Sequence, residues 1–294
     1  TDIMAEGAME FAKIVKEKSK DRIEIAVYLS SQLGDEKTQI QSVQMGALDF
    51  FRANSNITAE FGADKSNVLA LPYIFRNRDH MWNVLQGPVG KEILENFKEK
   101  NTRMLGIAYF DEGPRHFITR SKQIKTVEDL KGLKIRTMQN PIHLESFKKW
   151  GANPVPLPFN EVFTALEQKV IDGQENPNTL IYDAGFYEAQ KYLTITKHFY
   201  APFLVLIGQK TWDKLSANDQ KLVQKIALET RDYERKVNRE NNAKYLDLMK
   251  KKGIAINEVS LQDLEKFKAS AKDIYAKFSN DIGKERLDRV LAEV

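Results

Sequence analysis

The chain of 294 residues contains no cysteine. That excludes disulfides, thiolate metal sites and cysteine nucleophiles, and it leaves the redox compartment open. No apolar run approaches the ~18 residues that a membrane-crossing helix needs. No secretory signal stands at the start, so the chain is expected to be cytoplasmic or a mature form whose signal has been removed. An excess of one charge is missing too: 45 Lys and Arg stand against 41 Asp and Glu, a net +4. These charges are interleaved along helical stretches rather than gathered into a basic stripe, so no nucleic-acid partner is expected.

Histidine is scarce. The four (His80, His116, His143, His198) are scattered without metal-ligand spacing, and His80 and His143 are expected on helix surfaces. No Gly-rich phosphate loop follows a strand, and neither a Gly-x-Ser-x-Gly elbow nor a His-Glu-x-x-His helix occurs. No metal or cofactor is therefore expected. Asp172 and Glu175 can be drawn as an acid–base pair, but Asp172-Gly173 reads better as a turn.

What is present is a chain with 42% hydrophobic residues, enough for two cores, since a single core stops growing at roughly 250–300 residues. "MAEGAMEFAKIV" carries apolar residues three and four apart and reads as a helix; "RIEIAVYL" (22–29) alternates and reads as a strand. A helix follows at 35–46, then a short strand in "ALDFF" (47–51), an apolar run in "NVLALPYIF" (67–75), a helix over 79–100 and a strand in "MLGIAYF" (104–110). Beyond Gly113-Pro114, "HFITRS" and "LKIRT" read as strands, "NPIHLESFKKWG" and "NEVFTALEQKV" as helices. Such alternation implies α/β architecture with parallel sheets. From Ser216 to Lys252 there is neither Gly nor Pro. A helix of that length spans roughly 50 Å, with apolar residues at both ends and a charged middle, and is expected to lie across two domains.

Ligands of open α/β sheets bind beyond the carboxyl ends of the strands. There this chain delivers Arg52 and Asn54 after "ALDFF", Arg115 after "DEGP", Arg136, Gln139 and Asn140 in "LKIRTMQN", and Gln174, Glu175 and Asn176 in "DGQENP". Arginine offers a planar fork that matches a carboxylate or phosphate. Convergent arginines point to a small anionic ligand; taken singly, each could instead pair with Asp49, Asp111 or Glu112. Tyr73 and Phe159 are candidate aromatic walls, whereas Phe110 reads as core.

The motifs "SQLG" (31–34), "GALDF" (46–50), "ALPYIF" (70–75), "LKGLKIR" (130–136), "GANPVPLPFNEVFTAL" (151–166) and "VIDGQENP" (170–177) resemble those of the substrate-binding proteins of tripartite ATP-independent periplasmic (TRAP) transporters. The resemblance implies a clamshell like the type II periplasmic binding proteins: two α/β domains, hinge strands and a long helix spanning both. Applied here, domain I comprises 1–112 plus about 202–241, domain II 113–201 plus about 242–294, and the helix about 217–252 spans both. It further implies a periplasmic, non-enzymatic receptor, monomeric, that presents a small organic acid to membrane subunits. Arg136 is implied as the carboxylate anchor, assisted by Arg115 and Asn176, with Arg52 typical of sugar-acid binders. A hexuronate or aldonate is the expected ligand, a phosphate monoester such as glycerol 3-phosphate the second. An enzyme using Glu175 or His116 as base, and the sensor domain of a regulator, are the rivals from other classes. One departure is that the family usually begins with a strand before its first helix, whereas this chain starts inside that helix.

Overall fold

In the computed structural model, residues 3–294 are described, with side chains from residue 5 onward. The first helix runs Ile3–Lys18; Thr1, Asp2 and the Met4 side chain lie outside the described residues. Nine strands among the described residues form two sheets: β1 (Phe50–Asn54), β2 (Met104–Phe110), β3 (Arg115–Thr119), β4 (Lys134–Thr137), β5 (Asn153–Pro156), β6 (Gly173–Pro177), β7 (Tyr192–Ile195), β8 (Phe203–Gly208) and β9 (Ala255–Glu258). The smaller sheet has the order β1-β8-β2 and is antiparallel throughout. The larger has the order β5-β4-β6-β3-β7-β9.

The larger sheet is mixed, not parallel as expected. β4 runs parallel to β5 and β6, and β7 to β9, but β3 is antiparallel to both β6 and β7. The chain arrives at β3 by crossing over from β2, so it enters from the end at which β4 and β6 leave. A second crossing returns from β7 to β8. The two crossings lie side by side: Arg115 N–H donates to Phe199 O at 2.9 Å, and Pro114 bridges Tyr200 in antiparallel sense. Gly113 turns the first crossing with φ +86° and its N–H donates to Asp111 Oδ1 at 2.9 Å; a side chain there would be strained.

Two other expectations need correction, and one apolar run takes its form only in the structure. Residues 22–29 carry no regular structure; a strand requires a ladder partner, and no described strand pairs with them, although Ile23 and Ile25 still pack on the core of the smaller sheet. The run 67–75 is a 3-10 helix, Asp64–Ala70, followed by bends. The helix over 79–100 is two helices, Arg78–Gln86 and Pro88–Glu99. Pro88 donates no hydrogen bond and its ring suits the first position of a helix, so the break falls at Gly87.

The long helix is Ala217–Lys251, with the Ser216 side chain accepting from Asp219 N–H at 3.1 Å. Its 35 residues span about 52 Å at 1.5 Å each. Val223, Ile226 and Ala227 join the core formed with Phe11, Val15 and Phe110. At the far end Met249 joins Ile118, Ile181 and Leu193, and Tyr245 stacks on Tyr182 with ring centroids 4.7 Å apart. The last two helices, Ser279–Ile282 and Lys284–Ala292, depart from the expected grouping of 242–294 with domain II. Ile282, Leu287 and Val290 belong to the first domain's core with Ile93 and Phe97, and Arg286 and Arg289 both pair with Glu92.

Candidate ligand-binding site

A cavity of about 560 Å³ opens between the two sheets. Its polar wall is built by Arg52, Asn54 and Glu36 from one side, Arg136 and Asn176 from the other, and Glu112 and Arg115 from the crossing segment and the start of β3. It continues into an apolar trough past Phe11, Ile25, Val27 and Val205.

Strand register sorts the polar side chains by face. Arg136 lies beside Gln174 in the parallel pair of β4 and β6, and Arg115 lies opposite Pro177 in the antiparallel pair of β3 and β6. Side chains alternate along a strand, so Gln174 and Asn176 share a face with Arg136, and Glu175 shares the other with Arg115. Gly173 lets β6 come close: a Cβ there would stand 2.7 Å from Ile118 O.

Arg136 is buried, at 3% exposure. Its Nε and Nη2 donate to Leu157 O at 2.9 and 2.6 Å, and among the described residues that neutral carbonyl is its hydrogen-bond partner. Leu157 sits between Pro156 and Pro158, whose rings fix φ and hold the carbonyl in place. Burial lowers the Arg136 pKa to about 10, with the Glu175 carboxylate pulling the other way. The group stays cationic at neutral pH.

Arg115 lines the same cavity but is already engaged. Its Nε and Nη2 grip Glu175 at 2.6 and 2.9 Å, Nη2 also reaches Glu175 O at 2.9 Å, and Nη1 meets both Glu112 oxygens at 3.2 Å. Of the readings open for an arginine in the sequence, pairing with Glu112 is the one realised here. Glu175, expected as a ligand contact and considered as a base, is fully buried between Arg115 and His198. Burial would raise its pKa, but Arg115 and the hydrogen bond from His198 outweigh that and hold it well below the usual carboxylate range.

Asn176 lines the cavity and donates to Gln174 Oε1 at 2.5 Å. Arg52 lies over the Phe203 ring, 3.9 Å from its centroid. Asn54 lines the cavity, donates through Nδ2 to Glu112 Oε2 at 3.2 Å and accepts from Asn56 N–H at 3.0 Å, capping the turn after β1. Phe159 forms a partly exposed rim, its ring 5.5 Å from that of Phe186. Tyr73, Gln139 and Asn140 are not among the residues lining this cavity. Tyr73 packs edge-on against Trp150, and its N–H donates to His198 O. Asn140 turns back to accept from Ile142 and His143 N–H at 2.9 and 3.1 Å, capping the helix Pro141–Lys149.

Two features escape the sequence reading. Glu36 opens the helix Glu36–Met45 two residues after the "SQLG" motif, and its Oε1 accepts Asn54 N–H at 2.5 Å; its position beside that motif is the signal that could have marked it. Glu112 enters the reading only as an arginine partner, yet it lines the cavity. Burial pushes both carboxyls up to about 7, against the pull of the Asn54 N–H and Arg52 on Glu36 and of Arg115 and Arg52 on Glu112. The histidines are also misjudged: His80 and His143 are buried at 3% and 0%, not on the surface. His143 stacks on Phe199 at 3.9 Å, and burial lowers its pKa to about 3. Helical spacing locates a face; the neighbouring element decides whether that face is covered. Among the described residues no cluster of His, Asp or Glu could hold a metal ion, and no helix is long and apolar enough to cross a membrane.

Two α/β domains joined by paired crossing strands and a long helix, with guanidinium and amide groups converging on the cleft between them, define a clamshell solute-binding protein. The chain belongs to the bacterial extracellular solute-binding proteins, family 7, whose model matches residues 1–281. It is 36% identical over 256 residues to the 2,3-diketo-L-gulonate-binding periplasmic protein of Escherichia coli K12, covering 87% of this chain and 77% of that one. It is 32% identical over 292 residues to the sialic acid-binding periplasmic protein of Vibrio cholerae, covering 97% and 87%. The sugar acid binding protein of Advenella mimigardefordensis in complex with galactonate superimposes with a TM-score of 0.95 at 31% identity, over 99% of this chain and 93% of that one. A TRAP periplasmic solute-binding protein of Xanthobacter autotrophicus with bound β-D-galacturonate gives 0.94 at 32% identity, over 99% and 96%.

Proposed function

We propose that this protein is the periplasmic receptor of a TRAP transporter for a sugar acid of the aldonate or hexuronate type, and that it delivers its ligand by domain closure rather than transforming it. The ligand carboxylate pairs with Arg136, Asn176 assists, and Arg52 and Asn54 reach hydroxyls from the opposite domain. Domain I in this reading is 1–112 with about 202–241 and the last two helices; domain II is 113–201 with β9 and the helix Leu261–Lys277.

The observation that carries the proposal is Arg136. A guanidinium does not give up its charge at neutral pH, and leaving one buried without an anion costs several kcal/mol. Its hydrogen-bond partner among the described residues is the neutral Leu157 carbonyl, and Glu175 and Glu36 act on it through their charge without bonding to it, so a ligand carboxylate is the anion it bonds directly. The relatives with bound galactonate and galacturonate support the ligand class. A phosphate monoester would call on three arginines, and Arg115 is committed to Glu175 and Glu112.

Thermal denaturation in the presence of galactonate, galacturonate, glucuronate and glycerol 3-phosphate tests the reading. A true ligand at 100 times its Kd adds about 2.7 kcal/mol of stability, which appears as a clear rise in Tm. Sugar acids are expected to give that rise; no shift with any of them rejects the assignment.

A further inference from the structure

Around the cleft the arginines do not outnumber the carboxylates. Arg52, Arg115 and Arg136 stand with Glu36 and Glu112 on the wall and Glu175 just behind it. Arg115 is held by Glu175 through Nε and Nη2 and by Glu112 through Nη1. Glu36 spends one oxygen on Asn54 N–H, and Glu112 Oε2 is shared between Arg115 and the Asn54 amide. A ligand anion on Arg136 pairs with that group directly; a second anion finds Arg115 bound to Glu175 and Glu112, Arg52 facing Glu36 and Glu112, and those two carboxyls nearby.

Resting on the sugar-acid reading, we propose that Glu36 and Glu112 determine specificity. They restrict the cleft to ligands with one negative charge and hydroxyl donors along the chain, and they reject dianions of the same size. An ionised carboxylate only accepts hydrogen bonds, so it welcomes a hydroxyl and repels another carboxylate or a phosphate. Repulsion between like charges strengthens where a carboxyl is buried, as Glu112 is at 4% exposure, and discrimination by an opposed charge is a common way to exclude the wrong ligand. Glu36 is faced by Arg52, Arg136 and Arg115; Glu112 is faced by Arg115, Arg52, Glu175 and Glu36. With both carboxyls titrating near 7, the penalty on a dianion eases as pH falls from 8 to 6.

Calorimetry with galactonate and galactarate tests this, because the two share a carbon skeleton and differ by one carboxylate. At pH 8, galactonate is expected to bind at least about 100-fold more tightly, since opposed like charges cost several kcal/mol and each 1.4 kcal/mol is tenfold. Galactarate affinity is expected to rise at pH 6. Glu36→Gln and Glu112→Gln keep an acceptor oxygen but lose the charge, and each is expected to narrow the ratio about tenfold or more. Comparable wild-type affinity for the two acids overturns the inference and leaves the sugar-acid reading standing. An unchanged ratio in both variants, with melting temperatures matching the wild type, also overturns it. Succinate, lactate and glycerol 3-phosphate complete the panel. Binding of lactate without any sugar acid or dianion supports the charge rule and rejects the sugar-acid reading; binding of succinate or glycerol 3-phosphate alone, or of nothing in the panel, rejects both.

Discussion

Arg115 and Arg136 stand in one sheet, both buried and both on the cleft wall, yet they carry different loads. Among the described residues the Leu157 carbonyl is the hydrogen-bond partner of Arg136, and in the proposed reading the ligand carboxylate is the anion that it bonds. Arg136→Ala is expected to weaken sugar-acid binding by about two orders of magnitude or more, read by calorimetry, because losing the partner of a buried charge costs about 2–5 kcal/mol. Arg115 balances Glu175 and Glu112 inside the protein. Arg115→Ala strips Glu175 of its counter-charge, and breaking one side of a buried ion pair costs about 3–5 kcal/mol. Its first effect is therefore on stability, seen as a lower midpoint in urea denaturation without ligand. An Arg115→Ala protein as stable as wild type would refute that division of labour.

The long helix is more than a spacer between two cores. Midway along it, Glu234 and Asn238 are buried at 1% and 3% against the first crossing. Glu234 Oε2 accepts Asp111 N–H at 2.8 Å, and Asn238 Nδ2 donates to Asp111 O at 3.2 Å. Arg78 Nε adds a 2.6 Å bond to Asp111 Oδ2. Adjacent residues of that crossing thus serve opposite sides, Asp111 the helix and Glu112 the cleft. Burial, reinforced by the Asp111 carboxylate, pushes the Glu234 carboxyl up to about 8. A carboxyl raised in the folded state binds more protons there than in the unfolded chain, so stability falls as pH rises from about 4.5 to 8. Glu234→Gln removes that loss. Its Tm is expected to exceed that of the wild type at pH 8.5, by about 2–4 °C for each kcal/mol recovered, and to match or fall below it at pH 5. A Tm difference that does not vary with pH would contradict the assignment.

At the scale of the molecule, the two crossings, the long helix and the step from the helix Leu261–Lys277 to the last two helices link the two cores, and the cleft lies between what they join. In the proposed reading, a ligand that bridges Arg136 on one side and Arg52 on the other stabilises the closed form. A compact chain of this length has a radius of gyration of about 19 Å. Solution scattering is expected to show a decrease on adding saturating galactonate, and no decrease for Arg136→Ala at the same concentration. Much of this architecture is legible in the sequence because its signals are local. The long helix announces itself by 37 consecutive residues (216–252) without Gly or Pro and by Ser216 and Asp219 at its start, and β4 by the alternation that ends at Arg136. The strand expected at 22–29 shows the limit of such signals: alternation describes a residue pattern, and only a neighbouring strand makes it a ladder. Asn140 shows another, since an amide at a strand end can serve a ligand or the following helix, and here it caps the helix.

Local residue patterns were enough to set the α/β class, the Ser216 start and the length of the spanning helix, and the arginine or amide at each strand end, because each rests on residues within a short stretch of chain. Which arginine is bonded to carboxylates within the protein depends on the folded arrangement. Arg115 meets Glu175 across 60 residues of chain, and Glu36 joins the cleft wall through Asn54, 18 residues away. Counter-charges are chosen by proximity in space, and proximity at that range is set by sheet register and by the two crossings of the chain.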